Sequence, residues 1–361
     1  MRYRIVQQRP FINKNKDIIL QKVNTFKKVY VRDKKEFLHY FILKELYDIT
    51  LNSPPYIQEY TQTHNFFNIK YPNKIDVNRI IPIVKHYEYC ETMFNNLKPR
   101  INEPINDFYN TKTSVVFNAL EQSGLRIDRE KFQSHFHDVD GEYVHTQFNF
   151  KTLTGRPSNK FGGVNYAALN KENGARECFI PRNNFLFELD ISAYHPTLLA
   201  KLVDFEFGSG DIHMAFAEMY GVDYKKAKEL TFKQLYGGVF DDYKELEFFK
   251  RVERYIEDIN SKEEAVCKSG YVFKTDMKKQ KLFNYILQNT ETYYNVLILE
   301  KIIKILKHSK TRIIHYTYDS FLLDVSKDEK DIVQSIIDVF KEYRFGVKME
   351  AGINYGDLGR V

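Results

Sequence analysis

Two aspartates stand where a carboxylate could do chemistry. Asp190 follows the apolar run 185–189, and Asp319 lies in Tyr318-Asp319-Ser320, between the apolar runs 312–317 and 321–325. Strand ends and hairpin tips hold side chains rigidly at an open surface. Two carboxylates brought together there can bind a pair of divalent ions about 4 Å apart, as phosphoryl transfer requires. The alternative is that each aspartate merely ends a strand. A third candidate is a stripe. Tyr224, Lys228, Phe232 and Tyr236 recur every four residues, which puts them on one helix face. That face offers a charge for phosphate and rings for stacking on base and sugar. The competing reading is a core-facing amphipathic helix, and a lysine in mid-stripe argues against it.

These residues need elements to hold them. The spacing of apolar residues predicts helices over about 104–122, 197–203, 212–220, 224–235, 283–307 and 330–343, with helical, charged sequence over 242–266. Pro104 suits a first helical turn, and Gly124 sits where a C′ glycine belongs. Strands are expected over 185–189 and 346–353, and a hairpin over 312–325 with a carboxylate at its turn. Residues 143–182 read as a long ordered loop. Residues 1–100 look irregular, with a helix at 33–46 and a break at Ser53-Pro54-Pro55. Helices and antiparallel strands mix without βαβ regularity, so the class is α+β.

Neighbouring residues add a resemblance. Glu188-Leu-Asp-Ile-Ser192, Asp211-Ile-His213, and Lys228 with Phe232 four later and Tyr236-Gly237 eight later are similar to segments of the family A, bacterial DNA polymerase I-like, enzymes. Thr154-Gly-Arg156 followed by Asn165, Arg176-Glu-Cys-Phe179, and Asn284 and Gln288 followed by Thr290 match further segments in the family's order. Tyr318-Asp319-Ser320 stands at its motif C. Segment 345–355 resembles its C-terminal strand, and 116–132 resembles the stretch before its thumb. The resemblance covers about 105–361. The lysine-to-tyrosine spacing of eight disfavours family B polymerases, although Asp190-Ile-Ser-Ala-Tyr-His-Pro superficially resembles their motif A.

The resemblance implies a right-hand polymerase fold in a compact, phage-like form. Its antiparallel palm would span 104–205 and 276–361, with helical fingers over 206–275. Only about 25 residues separate Asp128 from Thr154, so the thumb would be reduced or absent. Residues 1–103 would form a basic region, either an exonuclease-domain remnant or a thumb substitute. The implied activity is DNA-templated addition of dNTPs to a primer 3′-hydroxyl. Asp190, Asp319 and the Ile191 carbonyl would hold two Mg²⁺, or Mn²⁺. Lys228, His213, Tyr224, Lys225, Phe232, Tyr236 and His195 would meet the nucleotide. Arg156, Asn165, Arg176, Asn284, Gln288 and Tyr318 would contact the primer–template.

Several positions depart from the family pattern. Tyr224 replaces an arginine, Tyr318 a histidine, Ser320 a glutamate, and His195 the glutamate that crowds the sugar 2′ position. His195, held by Tyr236, is expected to gate the sugar, with Tyr194 as the next candidate. The residues also leave open another nucleotidyltransferase, RNA-making or template-independent, or a degenerate nucleic-acid-binding replisome subunit.

Composition bounds the rest. The 361 residues are 43% hydrophobic and 28% charged, ordinary for a globular protein. No apolar run is long enough to cross a bilayer, and the N-terminus has no secretory h-region. Three cysteines exclude a disulfide scaffold and fit a reducing, cytoplasmic location. The first hundred residues hold 18 Lys+Arg against 9 Asp+Glu, and the remainder 36 against 39. A basic region on a nearly neutral body fits nucleic-acid binding, or a solvated lysine-rich surface. No Asp-x-Glu strand appears there, and Tyr87-x-x-x-Glu91 lacks carboxylate partners. Proofreading would then fall to a separate exonuclease, and a processivity subunit is a further expected partner.

Overall fold

A computed structural model describes residues 108–361, except 109–111, 137–138, 140, 147, 150–151, 160–163, 167–168, 209 and 238–240. Before Phe108 it describes three short strands, β1 (Ile5–Val6), β2 (Val29–Val31) and β3 (Ile57–Glu59), paired in parallel. Each has two or three residues, too short for apolar alternation to reveal it in the sequence. The expected helix at 33–46, the break at 53–55 and the Tyr87–Glu91 spacing lie outside the described residues. The chain divides into two units, Met1–Gln122 with Ser269–Tyr271, and Ser123–Lys268 with Val272–Val361. Helix α1 (Ser114–Ser123) is the described part of the helix expected over 104–122.

The second unit opens with β4 (Leu125–Arg126) and α2 (Arg129–His135), then β5 (Tyr143–Val144), β6 (Phe148–Asn149) and β7 (Ser158–Asn159). β4 pairs with β5, and β6 with β7, so the expected loop over 143–182 contains short strand pairs. Between Asp128 and Thr154 the described helix is α2 alone, seven residues long. Gly124 adopts φ +65°, as a C′ residue must, and a Cβ there would meet His145 at 2.8 Å.

Strand β8 (Phe185–Ile191) is followed by α3 (Tyr194–Leu202), α4 (Ile212–Tyr220) and α5 (Tyr224–Gly237). Next come α6 (Glu247–Asn260) and a hairpin of β9 (Glu264–Val266) with β10 (Val272–Lys274). The sequence reading extended helical structure to 266 and missed this hairpin. Each strand has three residues and buries one of them, Ala265 or Phe273, too short a run for alternation to stand out in the sequence. Helix α7 (Lys279–Ile305) precedes β11 (Arg312–Thr317), β12 (Ser320–Val325), α8 (Lys330–Glu342), β13 (Val347–Gly352) and β14 (Gly359–Arg360).

The central sheet runs β11-β12-β8-β13-β14, every pair antiparallel. β8 is its middle strand, and Leu186, Leu189 and Ile191 are buried. That strand extends to Ile191, so Asp190 lies within it rather than just past its end. One side of the core joins Leu125, Ile127, Phe132 and Phe179 to Leu186 and Leu322 of the sheet. α7 packs against α3 and α8, burying Leu282, Ile286, Val296, Leu299 and Ile302. Burial of such side chains contributes roughly 1.5–3 kcal/mol each. The expected α+β class and antiparallel sheet are observed. No described helix is long and apolar enough to cross a membrane.

Candidate active site

Sheet register places Asp190 beside the turn that carries Asp319. Asp190 on β8 is paired with Ser320 on β12 and with Lys348 on β13. Directly opposed residues share a face, with Cβ atoms about 5 Å apart. Asp319 immediately precedes Ser320, and its carbonyl accepts the Ile191 N–H at 2.8 Å. Burial pushes the Asp190 carboxyl up to about 6, helped by the charge of Asp319 and opposed by Lys348. Asp319, although solvent-exposed at the turn, is also raised, by desolvation among the surrounding groups and then by Glu291, with its backbone hydrogen bond, His195 and Arg156 opposing. Neighbouring carboxylates that resist ionisation favour an added cation.

The turn bearing Asp319 is pinned from α7. Tyr318 takes φ +56°, a strained backbone for a residue with a Cβ. Asn295 Nδ2 donates to the Tyr318 carbonyl at 2.8 Å and to Tyr316 Oη at 2.7 Å, while its Oδ1 accepts from Tyr194 Oη at 2.7 Å. Tyr194 is therefore spent on this buried network and does not serve as an alternative sugar gate. Ser320, where a glutamate was expected from the resemblance, donates to Glu188 Oε1 at 2.6 Å, and Tyr355 Oη donates to the same oxygen at 3.1 Å.

Glu291, also on α7, was not singled out from the sequence. Its carboxylate is 1% exposed. Oε1 accepts from Arg156 Nε at 2.8 Å, and Oε2 from Arg156 Nη2 at 3.1 Å. His195 Nε2 lies 2.5 Å from the same Oε2. The described partner of His195 is thus Glu291; the side chain of Tyr236 lies outside the described residues. The Arg156 guanidinium also stacks 3.7 Å over the Tyr318 ring. Thr154 donates to Gln288 at 3.2 Å, and Asn289 Nδ2 donates to the Thr154 carbonyl at 2.9 Å, clamping the 152–156 turn to α7. A signal for these residues did exist. Asn284, Gln288, Glu291 and Asn295 follow a 4-3-4 spacing, a polar stripe along one line of the helix.

The other residues expected at the primer–template are more dispersed. Arg176 donates to the Leu169 carbonyl at 3.2 Å and lies over the Tyr355 ring, bracing the preceding loop. Asn165 is exposed. Asn284 Oδ1 sits 3.5 Å from Gln280 Nε2.

On α5 the buried residues are Ala227, Thr231, Gln234 and Leu235, while Tyr224, Lys225, Lys228 and Phe232 are exposed. The 224–228–232 face is therefore not a core face. Asp211 caps α4 through the backbone N–H groups of His213, at 2.7 Å, and Met214, at 3.2 Å. His213 is buried, its ring against those of Tyr224 and Phe232, and its Nδ1 has no hydrogen-bond partner. Burial lowers its pKa; Asp211 opposes, and Lys228 and Lys348 lower it further. Lys348, which pairs with Asp190 across the sheet, and His213 line one cavity.

A cavity of about 660 Å³ opens there, lined by Ser192, His213 and Tyr224, four cations (Lys201, Lys268, Arg344 and Lys348) and three acids (Asp204, Glu206 and Asp211). Arg344 pairs with Glu206 at 3.2 Å, and Asp211 is taken up by the α4 cap. Lys201 is lowered by burial and then by Arg344 and Lys268. Lysines crowding one another in this way suit a polyanionic ligand.

No side-chain cage of three or more His, Cys, Asp or Glu exists among the described residues. The donor set at the end of the central strands is two carboxylates with adjacent backbone carbonyls. That suits Mg²⁺, which is commonly held by one or two carboxylates and completed by water and substrate oxygens.

No family model matches the chain, and no curated protein sequence matches it. Among solved structures it is similar to the POL domain of Pol1 from M. smegmatis in complex with DNA primer-template and dNTP. The TM-score is 0.66 at 12% identity, covering 91% of this chain and 86% of that one. At that identity the likeness concerns architecture, and the chain has the fold of a DNA polymerase domain.

Proposed function

We propose that the protein is a DNA-templated DNA polymerase of the family A kind, extending a primer 3′-hydroxyl with dNTPs and lacking its own proofreading site. One observation carries this reading. Asp190 lies beside the turn that carries Asp319, and its strand partner Lys348 lines a cation-rich cavity with His213.

In this reading the palm comprises 104–205 and 276–361, and the fingers 206–275. Asp190, Asp319 and the Ile191 carbonyl would hold the divalent ions. Bound Mg²⁺, or Mn²⁺ in its place, would supply Lewis-acid chemistry, lowering the primer hydroxyl's pKa and neutralising phosphate charge. Lys228 and the cavity lysines bind the triphosphate. His213 lines the same cavity, and Lys348 tempers the charge of Asp190. Tyr224, Phe232 and Tyr236 stack on base and sugar, with Lys225 as an auxiliary phosphate contact. Arg156, Asn165, Arg176, Asn284, Gln288 and Tyr318 form the primer–template track, binding without reading sequence. The only described helix at the expected thumb position is seven residues long. DNA affinity then rests on screened phosphate contacts, and processivity is low unless residues 1–103 or a separate subunit compensate.

The test is primer extension by purified protein with Mg²⁺ and dNTPs, rNTPs or no template. Template-dependent dNTP addition supports the reading. Addition without template, or rNTP use alone, would reassign the enzyme to another nucleotidyltransferase. Binding without any synthesis would reduce it to a nucleic-acid-binding subunit.

A further inference from the structure

A second cavity, of about 440 Å³, shares Lys201 and Lys268 with the cation-lined one. Small-molecule sites usually measure roughly 300–1,000 Å³, with mostly apolar walls and a few placed polar groups. Four elements build this one. α3 contributes Leu202, α6 Ile259, β9 Ala265 and α7 Ile286, and the last three are buried. Apart from Lys201 and Lys268, no residue of this lining has a part in the polymerase reading.

Charge in the lining is unevenly compensated. Lys262 pairs with Asp258 at 2.6 Å, and Glu264 with Lys274 at 2.5 Å. Lys201 and Lys268 have rings as partners instead. Lys201 lies 5.0 Å over Phe345, and Lys268 lies 5.7 Å over Tyr294, to whose hydroxyl it donates at 3.3 Å. Among the described residues neither has a carboxylate partner. The two also depress each other's charge: Lys201 is lowered by burial and then by Arg344 and Lys268. An anion between them relieves that repulsion.

Cys267, which precedes Lys268, lines the same chamber. Burial pushes its thiol up to about 12. At neutral pH it stays protonated, a weak donor and not a nucleophile. The chamber therefore suits reversible binding and not covalent chemistry.

We propose that this chamber is a second ligand site, for an organic phosphate the size of a nucleoside monophosphate. The phosphate lies between Lys201 and Lys268, and the less polar body packs against Leu202, Ile259, Ala265 and Ile286. A phosphate monoester carries about −1.5 to −2 charge at pH 7, which matches two lysines that no acid neutralises. Free phosphate would leave the apolar end in water, and an uncharged ligand would leave the lysines uncompensated. A ligand with both parts answers both features.

The experiment is isothermal titration of the full, DNA-free chain with three probes: adenosine 5′-monophosphate, adenosine and inorganic phosphate. One equivalent of the monophosphate should bind, about tenfold or more tighter than either fragment. Lys201→Met and Lys268→Met keep the aliphatic stem and remove the charge, and each should weaken the monophosphate about tenfold or more. Lys268 is exposed, so Lys268→Met carries the test alone should Lys201→Met fail to fold. A second readout locates the ligand. Modification of Cys267 by methyl methanethiosulfonate, followed by peptide mass spectrometry, should slow when the monophosphate is saturating. No binding, phosphate binding as tight as the monophosphate, unchanged affinity in the lysine variants, or a Cys267 rate indifferent to the ligand would each overturn the proposal. Primer extension is a separate outcome: a chain that extends primers but fails these tests keeps the polymerase reading and loses this site.

Discussion

Two surfaces of the second unit are proposed to meet the same nucleotide, and they are built in opposite ways. The end of the central strands around Asp190 and Asp319 is braced from beneath. Asn295 ties the Tyr318 carbonyl to two buried tyrosines, Glu291 clasps Arg156 and His195, and Glu188 accepts from Ser320 and Tyr355. The α5 face carrying Tyr224, Lys228 and Phe232 is exposed, and its stable packing is on the other side, through Ala227, Thr231 and Leu235. A site that must orient reacting atoms benefits from groups fixed before substrate arrives. A face that must grip and release a triphosphate benefits from side chains free to rearrange. The comparison separates chemistry from capture, and each side predicts a different class of mutant.

The largest effect is expected at the braced end. Asp190→Ala or Asp319→Ala should cut extension by about 10³-fold or more while leaving folding and DNA binding intact, because each removes a metal ligand from a crowded acidic cluster. Near-normal extension by either variant, measured in a rapid-quench assay, would break the assignment of this end to chemistry.

Asn295→Ala tests the brace itself. It removes the hydrogen bonds that Asn295 makes with the Tyr318 carbonyl and the Tyr194 and Tyr316 hydroxyls, at a cost of about 2–4 kcal/mol of stability. Urea denaturation reads this directly. A loss near zero would mean that the turn bearing Asp319 is held by something other than α7.

On the capture side, Lys228→Ala should raise the KM for dNTP about tenfold or more with DNA affinity within twofold, since a charge-assisted contact contributes about 1.5–3 kcal/mol. It should leave stability unchanged, as expected of an exposed residue. Loss of stability instead would show α5 to be structural on that face too.

The smallest effect concerns pH. The Asp190 carboxyl is raised from 3.8 to about 6, mainly by burial and then by Asp319. Between about pH 4 and 6 the native protein keeps a proton that the unfolded chain has released. Stability of the metal-free protein should therefore fall as pH rises through that window, by about 1 kcal/mol after solvent screening. Asp190→Asn should flatten the fall in melts recorded with a chelator. An unchanged slope would assign the strain to other groups.

Much of this was legible in the residues. The 312–325 hairpin, the strand before Asp190, and the helices at 212–220 and 330–342 follow from apolar period and turn residues, because local chemistry decides local structure. The face of α5 was legible for the same reason, since a lysine in mid-stripe is costly to bury. The thin strands at Ile5–Val6, Val29–Val31 and Ile57–Glu59, and the 264–274 hairpin, were not, because each run is only two or three residues long.

What sequence alone determined, then, is the inventory: two aspartates at strand boundaries, a lysine on a helix face, a histidine just past Asp190. Tertiary structure decided the connections. Register set Ser320 and Lys348 opposite Asp190, burial decided that Glu291 would be the carboxylate facing Arg156 and His195, and Tyr194 became a network member instead of a candidate gate. The reason is range. Helical and strand periods act over a few residues, whereas the clasp on Glu291 joins groups 96 and 135 positions apart, and only folding of the intervening chain brings them within hydrogen-bond reach.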